Sequence, residues 1–260
     1  MKYKWNPFSL VDSPNGSAAV IYSTGCSLKC PYCFNPDLRI ENSGDYSFED
    51  IIEKIKGLHS SIKDENGEVR SFNKVEWIII SGGEPLDNEL HEIVTLLQVS
   101  RNYDFKTGLF TSGYKPNKLN YLYNTVMIDY IHIDFKSIDE TFLNAISLSS
   151  FRFCNSEILN AINFSVENYK RANSSWLHIN TTVLRSIHTP ELLLDMKYEL
   201  LNALGLKEIR VYKKPNFDDR IFWTLTPVSF EHTNTLKPID FVKDGWFDDD
   251  LEYVISILNL

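Results

Sequence analysis

Three of the chain's four cysteines, Cys26, Cys30 and Cys33, fall in the stretch TGCSLKCPYCFNP from Thr24 to Pro36. Their spacing is C-x3-C-x2-C, short enough for three thiolates on one loop to converge on one small object. Thiolate is a soft ligand, so the candidate objects are zinc, copper(I) or an iron–sulfur cluster. A structural zinc site closes four positions, with its cysteines in two pairs. No second pair exists here, and Cys154 lies far along the chain with no cysteine near it, so it reads as a buried or incidental thiol. A four-iron cluster on three cysteines leaves one iron free of protein. Electron-transfer clusters ordinarily use four cysteines, so an open iron points to chemistry.

Two further groups of residues sit at the ends of expected strands. The apolar run Val75 to Ile80 leads into Ser81-Gly82-Gly83-Glu84-Pro85. A glycine pair there reads either as a plain tight turn or as backbone exposed to a ligand's amino group, with Glu84 as acceptor. The second group is Asp134 and Lys136, two residues apart and so on one side of their strand. They read either as a solvated surface pair or as a pair reaching into a pocket, where an ion pair is costly unless matched.

On these residues the chain resembles the radical S-adenosylmethionine (radical SAM) enzymes. Those enzymes carry C-x3-C-x-aromatic-C, with Tyr32 as the aromatic here, and GGEP after the second strand. The resemblance implies a [4Fe-4S] cluster on Cys26, Cys30 and Cys33, whose free iron chelates S-adenosylmethionine. One electron from the cluster then splits that cofactor to a 5′-deoxyadenosyl radical. It also implies that Tyr32, Gly82, Gly83, Glu84, Ser112, Asp134, Lys136 and Asn180 line the S-adenosylmethionine site, with Tyr32 near the adenine.

Within that family the chain is similar to the glycyl-radical-enzyme activases, particularly those that activate anaerobic ribonucleotide reductase. The likeness runs from about residue 8 to 215 and includes the LVDSPNG turn, the cluster loop, GGEP and the D-x-K of Asp134 and Lys136. Thr111-Ser112-Gly113 stands at a polar turn ending in glycine, and Asn180-Thr181-Thr182 resembles an Arg-Thr-Thr segment. Two departures stand out. Phe110 replaces the aspartate of an Asp-Thr-Asn-Gly motif, and Asn180 replaces a frequent arginine. The resemblance implies a glycyl radical enzyme as partner, such as anaerobic ribonucleotide reductase, and a reduced flavodoxin or ferredoxin-type electron donor. Two other readings stay open. One is a radical SAM enzyme acting on a small molecule, similar to carboxy-deazaguanine synthase. The other is a non-catalytic metal-binding interaction protein.

Strands and helices must alternate to bring these segments together. Expected strands are Ala18–Ser23, Val75–Ile80, Phe105–Phe110, Tyr130–Phe135, Trp176–Leu184 and Glu208–Tyr212. Between them, Ser47 and Asp50 form a capping-box pattern ahead of Ile51, Ile52, Ile55 and Leu58. Further helices are expected over Asn88–Ser100, Lys118–Tyr123 and Ser156–Ala172, and from Thr189-Pro190 to a Gly205 cap. Residues Ser60 to Asn73 read as a polar loop. Alternation of this kind gives a parallel sheet with crossover helices. With the resemblance, the expected fold is α/β, a partial (β/α)6 TIM-like barrel of the radical SAM type. Its core domain is expected over residues 1–213. An irregular, aromatic and acidic extension over 214–260 follows, packed on the barrel or contacting a partner, with a closing helix over Leu251–Leu260.

Composition bounds the partners. The 260 residues carry a net charge of -9 and are 43% hydrophobic, enough for a substantial core. A field of that sign disfavours non-specific binding to nucleic acid or an anionic membrane, so neither is an expected partner. The first residues lack the apolar segment of a signal peptide. No apolar run approaches the ~20 residues of a bilayer span. The cysteines do not form a disulfide framework, which fits a reducing cytoplasm.

Overall fold

The computed structural model describes residues 2–30, 32–63, 65–66, 68–147, 154–172, 175–227 and 248–260. Its main sheet has eight strands in the order β1-β2-β5-β6-β7-β8-β10-β9. These are β1 (Tyr3–Ser9), β2 (Ala18–Ser23), β5 (Trp77–Gly82), β6 (Lys106–Thr111), β7 (Tyr130–Asp134), β8 (Trp176–Val183), β9 (Val211–Tyr212) and β10 (Ile221–Pro227). Strand β1 runs antiparallel to β2, and every other neighbouring pair is parallel. The helices between parallel strands are α1 (Phe48–Lys56), α2 (Leu90–Asn102), α3 (Pro116–Thr125), α4 (Glu140–Ile146), α5 (Asn155–Ala172) and α6 (Pro190–Leu204).

Alternation along each strand separates two cores. Ile21, Ile78, Ile80, Leu109, Ile131, Ile133, Leu177, Ile179 and Trp223 point one way and join the buried faces of the helices. Their neighbours Val20, Trp77, Ile79 and Tyr130 point the other way and form a smaller cluster with Tyr22, Phe110, Trp176 and Phe217. That second cluster fills the barrel interior beneath the strand ends, as the inward layers of a parallel barrel do. The helix signals hold. Asp50 N–H donates to Ser47 Oγ (3.1 Å), and Ser47 N–H donates to Asp50 Oδ2 (2.8 Å) ahead of α1. Thr189 caps α6, and Gly205 ends it in the left-handed conformation (φ 61°).

Three expectations are corrected. Residues 60–73 are not a loop: β3 (His59–Lys63) and β4 (Val69–Asn73) pair as an antiparallel hairpin. Ile62, Val69 and Phe72 are all exposed, so no buried face marks these strands in the sequence. The segment Tyr3–Ser9, read only for what it lacks, is an edge strand whose Tyr3 pairs with Ser23. The strand expected at Glu208–Tyr212 shrinks to two residues at the outer edge, and β10 takes the place beside β8. Residues 221–227, assigned above to an irregular extension, are therefore part of the sheet, with Phe222, Trp223 and Leu225 buried. The density of Asp and aromatic residues from 217 onward hid this strand.

The closing helix α7 spans Asp248–Leu258 and buries Leu251, Val254 and Leu258. Just beyond it, Asn259 pairs both backbone groups of Val211, at 2.9 Å each, which covers the edge strand β9. Trp246 and Phe247 lie outside the described residues. Among the described residues, no helix is long and apolar enough to cross a membrane.

Candidate functional site

A cavity of about 540 Å³ opens where the parallel strands end. Cys26, Cys30 and Cys33 line it, as do Tyr32, Gly82, Gly83, Glu84, Ser112, Asp134, Lys136 and Asn180. All the residues singled out from the sequence thus meet in one space, although they come from five segments. Cys154 lies outside it.

Backbone hydrogen bonds fix the cysteine loop on both sides. Gly25 N–H donates to Leu38 O (2.8 Å), Gly83 N–H to Ser23 O (2.9 Å) and Glu84 N–H to Gly25 O (2.9 Å). A Cβ on Gly83 would lie 2.2 Å from Gly25 O and 2.7 Å from Leu38 O. Gly82 has φ 118°, and its Cβ would lie 2.3 Å from Ser23 O. The pair is therefore glycine because two backbones touch there, beyond any exposure of the turn to a ligand. Further along, Ser27 N–H donates to Asp87 Oδ2 (2.7 Å). The other oxygen of Asp87 takes the Tyr114 hydroxyl and the Lys115 ammonium. Leu28 N–H points at Cys26 Sγ (3.4 Å), and Lys29 N–H donates to Ile146 O (2.7 Å).

Glu84 differs from its expected role. Its carboxylate is 1% exposed and takes four protein donors. These are Leu86 N–H (3.0 Å) and the Thr111 hydroxyl (2.7 Å) on Oε1, and Ser112 N–H (2.8 Å) and the Ser112 hydroxyl (2.5 Å) on Oε2. Two bonds per oxygen fill the acceptor capacity of a carboxylate. Glu84 therefore braces the turn after β6 against the GGEP turn, and the Ser112 hydroxyl is spent on it. Burial pushes the Glu84 carboxyl up, against the pull of the Ser112 and Thr111 hydrogen bonds.

Asp134 and Lys136 form a pair at 2.9 Å, with the Lys136 side chain only 8% exposed. His132 Nε2 meets the other carboxylate oxygen at 3.2 Å. Burial pushes the Asp134 carboxyl up, but Lys136 and His132 outweigh it and hold it well below the usual carboxylate range. Burial disfavours the Lys136 ammonium as well, and Asp134 overcomes it so that the lysine stays charged. The buried Lys136 ammonium is thus matched by the partly exposed Asp134 carboxylate, as burying a charge requires. Tyr32 stacks on Phe142 at 6.5 Å between centroids, and the Lys136 ammonium lies 5.9 Å from the Tyr32 ring centroid.

The donor set can be tested against an iron–sulfur cluster. All three thiols are free. Burial pushes the Cys26 and Cys30 thiols up, so each becomes a thiolate only beside compensating positive charge. Metal coordination supplies that charge and deprotonates a thiol outright. Arg39 also lines the cavity and lowers the Cys30 thiol, and its buried Nε has no hydrogen-bond partner among the described residues. Among the described residues, no three His, Cys, Asp or Glu side chains are grouped as ligands of one ion. The three thiols line one cavity. Three free thiols on one open cavity, with Lys136 and Arg39 acting on Cys30, fit an iron–sulfur cluster.

Several lining residues had no role from the sequence: Arg39, Thr111, His132 and Thr182. The alternation of YIHID does place His132 on the face of Asp134. For Arg39 no comparable signal exists.

The chain matches the family model described as the Radical SAM superfamily over residues 20–170, more than half its length. Two Methanocaldococcus jannaschii proteins, each named "putative glycyl-radical enzyme activating enzyme", are similar to it. One is 29% identical over 128 residues (49% of this chain, 47% of that protein), the other 32% over 164 residues (63% and 54%). The pyruvate formate-lyase-activating enzyme of Clostridium pasteurianum is 26% identical over 132 residues, half of each chain. The chain spans about half the length of the curated relatives it matches. Among solved structures, HydG, a maturase of the [FeFe]-hydrogenase, aligns with a TM-score of 0.57 at 12% identity. That alignment covers 93% of this chain and 49% of HydG. Native anSMEcpe with bound AdoMet aligns with a TM-score of 0.55 at 16% identity, over 91% of this chain and 57% of that one. At such identities the shared property is the fold.

Proposed function

This chain belongs to the radical SAM superfamily, and from that premise we propose that it is a glycyl-radical activase. Its cofactors are those of the family, a [4Fe-4S] cluster and S-adenosylmethionine. When bound, they supply one electron and, by reductive cleavage of the sulfonium, a 5′-deoxyadenosyl radical able to remove a hydrogen atom. Cys26, Cys30 and Cys33 would hold the cluster. Lys136 and Arg39 favour the thiolate of Cys30. Asp134 and Asn180 offer a carboxylate and an amide for the polar groups of S-adenosylmethionine, and the stacked ring of Tyr32 offers a flat apolar wall for its adenine. Gly82 and Gly83 give close backbone approach, while Glu84 and Ser112 keep the facing turns together. The buried lining residues Cys30, Tyr32 and Lys136 would help keep water from the reacting atoms.

The convergence of all eleven singled-out residues on one cavity carries this reading. Its rim adds support for a peptide substrate. Val11 and Phe34 line the cavity and are 85% and 62% exposed, so apolar side chains form part of its rim. The substrate would then be the Cα–H of a glycine in a loop of a large anaerobic enzyme, such as anaerobic ribonucleotide reductase. A reduced flavodoxin or ferredoxin-type protein would deliver the electron. Anaerobic reconstitution, strong reductant and S-adenosylmethionine should release 5′-deoxyadenosine. Added partner enzyme should then show a glycyl radical by electron paramagnetic resonance. Release of 5′-deoxyadenosine with no radical on any glycyl enzyme would move the substrate to a small molecule. No release at all would overturn the reading.

A further inference from the structure

A line of hydrogen bonds crosses the barrel interior and ends on Asp134. Asn180 Nδ2 lies 3.5 Å from Asp134 Oδ1. The Thr224 and Thr226 hydroxyls each lie 2.8 Å from Asn180 Oδ1. Thr224 Oγ1 also meets His178 Nε2 (2.7 Å), and His178 Nδ1 meets the Tyr130 hydroxyl (3.0 Å).

The charge on Asp134 sets the direction of every member. An ionised carboxylate only accepts, so the amide nitrogen of Asn180 must face it, and the amide oxygen must face the threonines. Both threonine hydroxyls then donate to that oxygen. With its proton used there, Thr224 accepts from His178, which places the imidazole proton on Nε2. The bare Nδ1 accepts in turn from Tyr130. The imidazole has to be neutral for this, and burial does hold His178 well below the ordinary histidine range, with His132 acting the same way and Asp134 opposing. Phe222 stacks on the ring at 4.7 Å and His132 crosses it at 4.3 Å, so the ring is packed in place.

We infer that Thr224, Thr226 and His178 are positioning residues: they lock the Asn180 amide so that its N–H groups, and never its oxygen, face Asp134 and the cavity. This rests on the reading of the cavity as an S-adenosylmethionine site, since that is where the fixed amide acts. Neither threonine is among the residues that line the cavity. Both sit on β10, so the last parallel strand contributes to the site without placing a ligand in its centre. With both hydroxyls gone, the amide oxygen would lose its only protein donors among the described residues and the side chain could flip, turning the oxygen toward Asp134. Networks of this kind act as units, so single deletions should understate the effect.

Two measurements on the full chain decide the matter. In protein labelled with ¹⁵N-histidine at pH 7.5, His178 should be neutral with Nε2 protonated and Nδ1 bare. In reconstituted protein, the Thr224→Val/Thr226→Val variant should bind S-adenosylmethionine about tenfold more weakly, the lower end of what outer-shell partners cost. Thr224→Ser/Thr226→Ser should restore wild-type affinity, which a simple loss of packing would not do. Should the double valine variant fold poorly, Thr226→Val alone, at the half-buried end, should give about a threefold loss by the same measure. A protonated Nδ1, an imidazolium, or wild-type affinity in the valine variants would overturn the inference. A wild-type protein that bound no S-adenosylmethionine would instead overturn the functional reading, and the tautomer would still decide the hydrogen-bond direction.

Discussion

Replacing Gly83 by alanine separates two accounts of the glycine pair. Gly83 is not among the glycines with positive φ, so alanine meets no backbone penalty there and only contact matters. Its Cβ would fall 2.2 Å from Gly25 O, 2.7 Å from Leu38 O and 2.9 Å from Gly25 C, all backbone atoms, where ordinary contact begins at 3.4 Å. The GGEP turn and the cysteine loop must therefore part by about 1 Å. Such a shift strains the bonds from Gly25 N–H to Leu38 O and from Glu84 N–H to Gly25 O. Overpacking of this sort costs about 1–3 kcal/mol, and two weakened buried bonds add a comparable amount, so about 2–6 kcal/mol is at stake locally. Cys26 follows Gly25 directly and must move with it. Iron and sulfide per chain after anaerobic reconstitution should fall several-fold, and the apo-protein should melt at lower temperature. Wild-type iron with an unchanged melting temperature would refute the close-contact account. Wild-type iron with lost S-adenosylmethionine affinity would return the pair to the role of presenting backbone to a ligand.

Three other outcomes are expected. Cys30→Ala should abolish both the iron–sulfur absorbance and release of 5′-deoxyadenosine, while Cys154→Ala should leave both intact; full cleavage by the Cys30 variant would remove that residue from the ligand set. Trp223 is fully buried and donates from Nε1 to Thr181 Oγ1 at 2.9 Å, so Trp223→Ala should cost about 3–5 kcal/mol in urea unfolding. A loss under about 1 kcal/mol would detach residues 221–227 from the core. The third outcome concerns pH. His188 is buried, with Nδ1 accepting from Leu184 N–H (3.0 Å) and Nε2–H donating to Lys136 O (2.8 Å). Burial lowers its pKa from 6.5, against those backbone bonds and the more distant Asp139. The unfolded chain therefore takes up a proton below about 6.5 that the folded chain refuses, and stability should fall as pH drops through that window. The slope is at most about 1.4 kcal/mol per pH unit for each such histidine, and His178 behaves alike. Unfolding curves at pH 7.5 and 5.5 for wild type and His188→Gln should show the variant losing less; equal losses would count against the buried neutral imidazole.

What could be read from the sequence follows the physics of where information is local. The cysteine spacing, GGEP and D-x-K are each contiguous, because each is one loop at the end of one strand, and strand ends are where a parallel barrel builds its site. The helices were legible for a similar reason: a capping box at Ser47 and a proline at the start of α6 are signals within four residues. The hairpin β3–β4 was missed because it buries neither face, which leaves no alternation to find. Strand β10 was missed for the opposite reason, since its buried tryptophan and phenylalanine sit among acidic and aromatic neighbours that resemble a loop.

The roles of single residues were harder to read than their membership of the site. Glu84 and Asn180 were both singled out as groups facing a ligand. The structure gives them different tasks, and the difference lies in the partners that topology brings. Glu84 meets Thr111 and Ser112 because β6 is next to β5, and those donors fill it. Asn180 meets Thr224 and Thr226 because β10 inserts between β8 and β9, out of chain order. A side chain's free hydrogen-bonding capacity is what remains after its neighbours have taken their share. That remainder depends on contacts between segments more than 25 residues apart, as from Glu84 to Thr111 and from Asn180 to Thr224. Motifs therefore locate this site, and the strand order decides which of its polar atoms are left to bind.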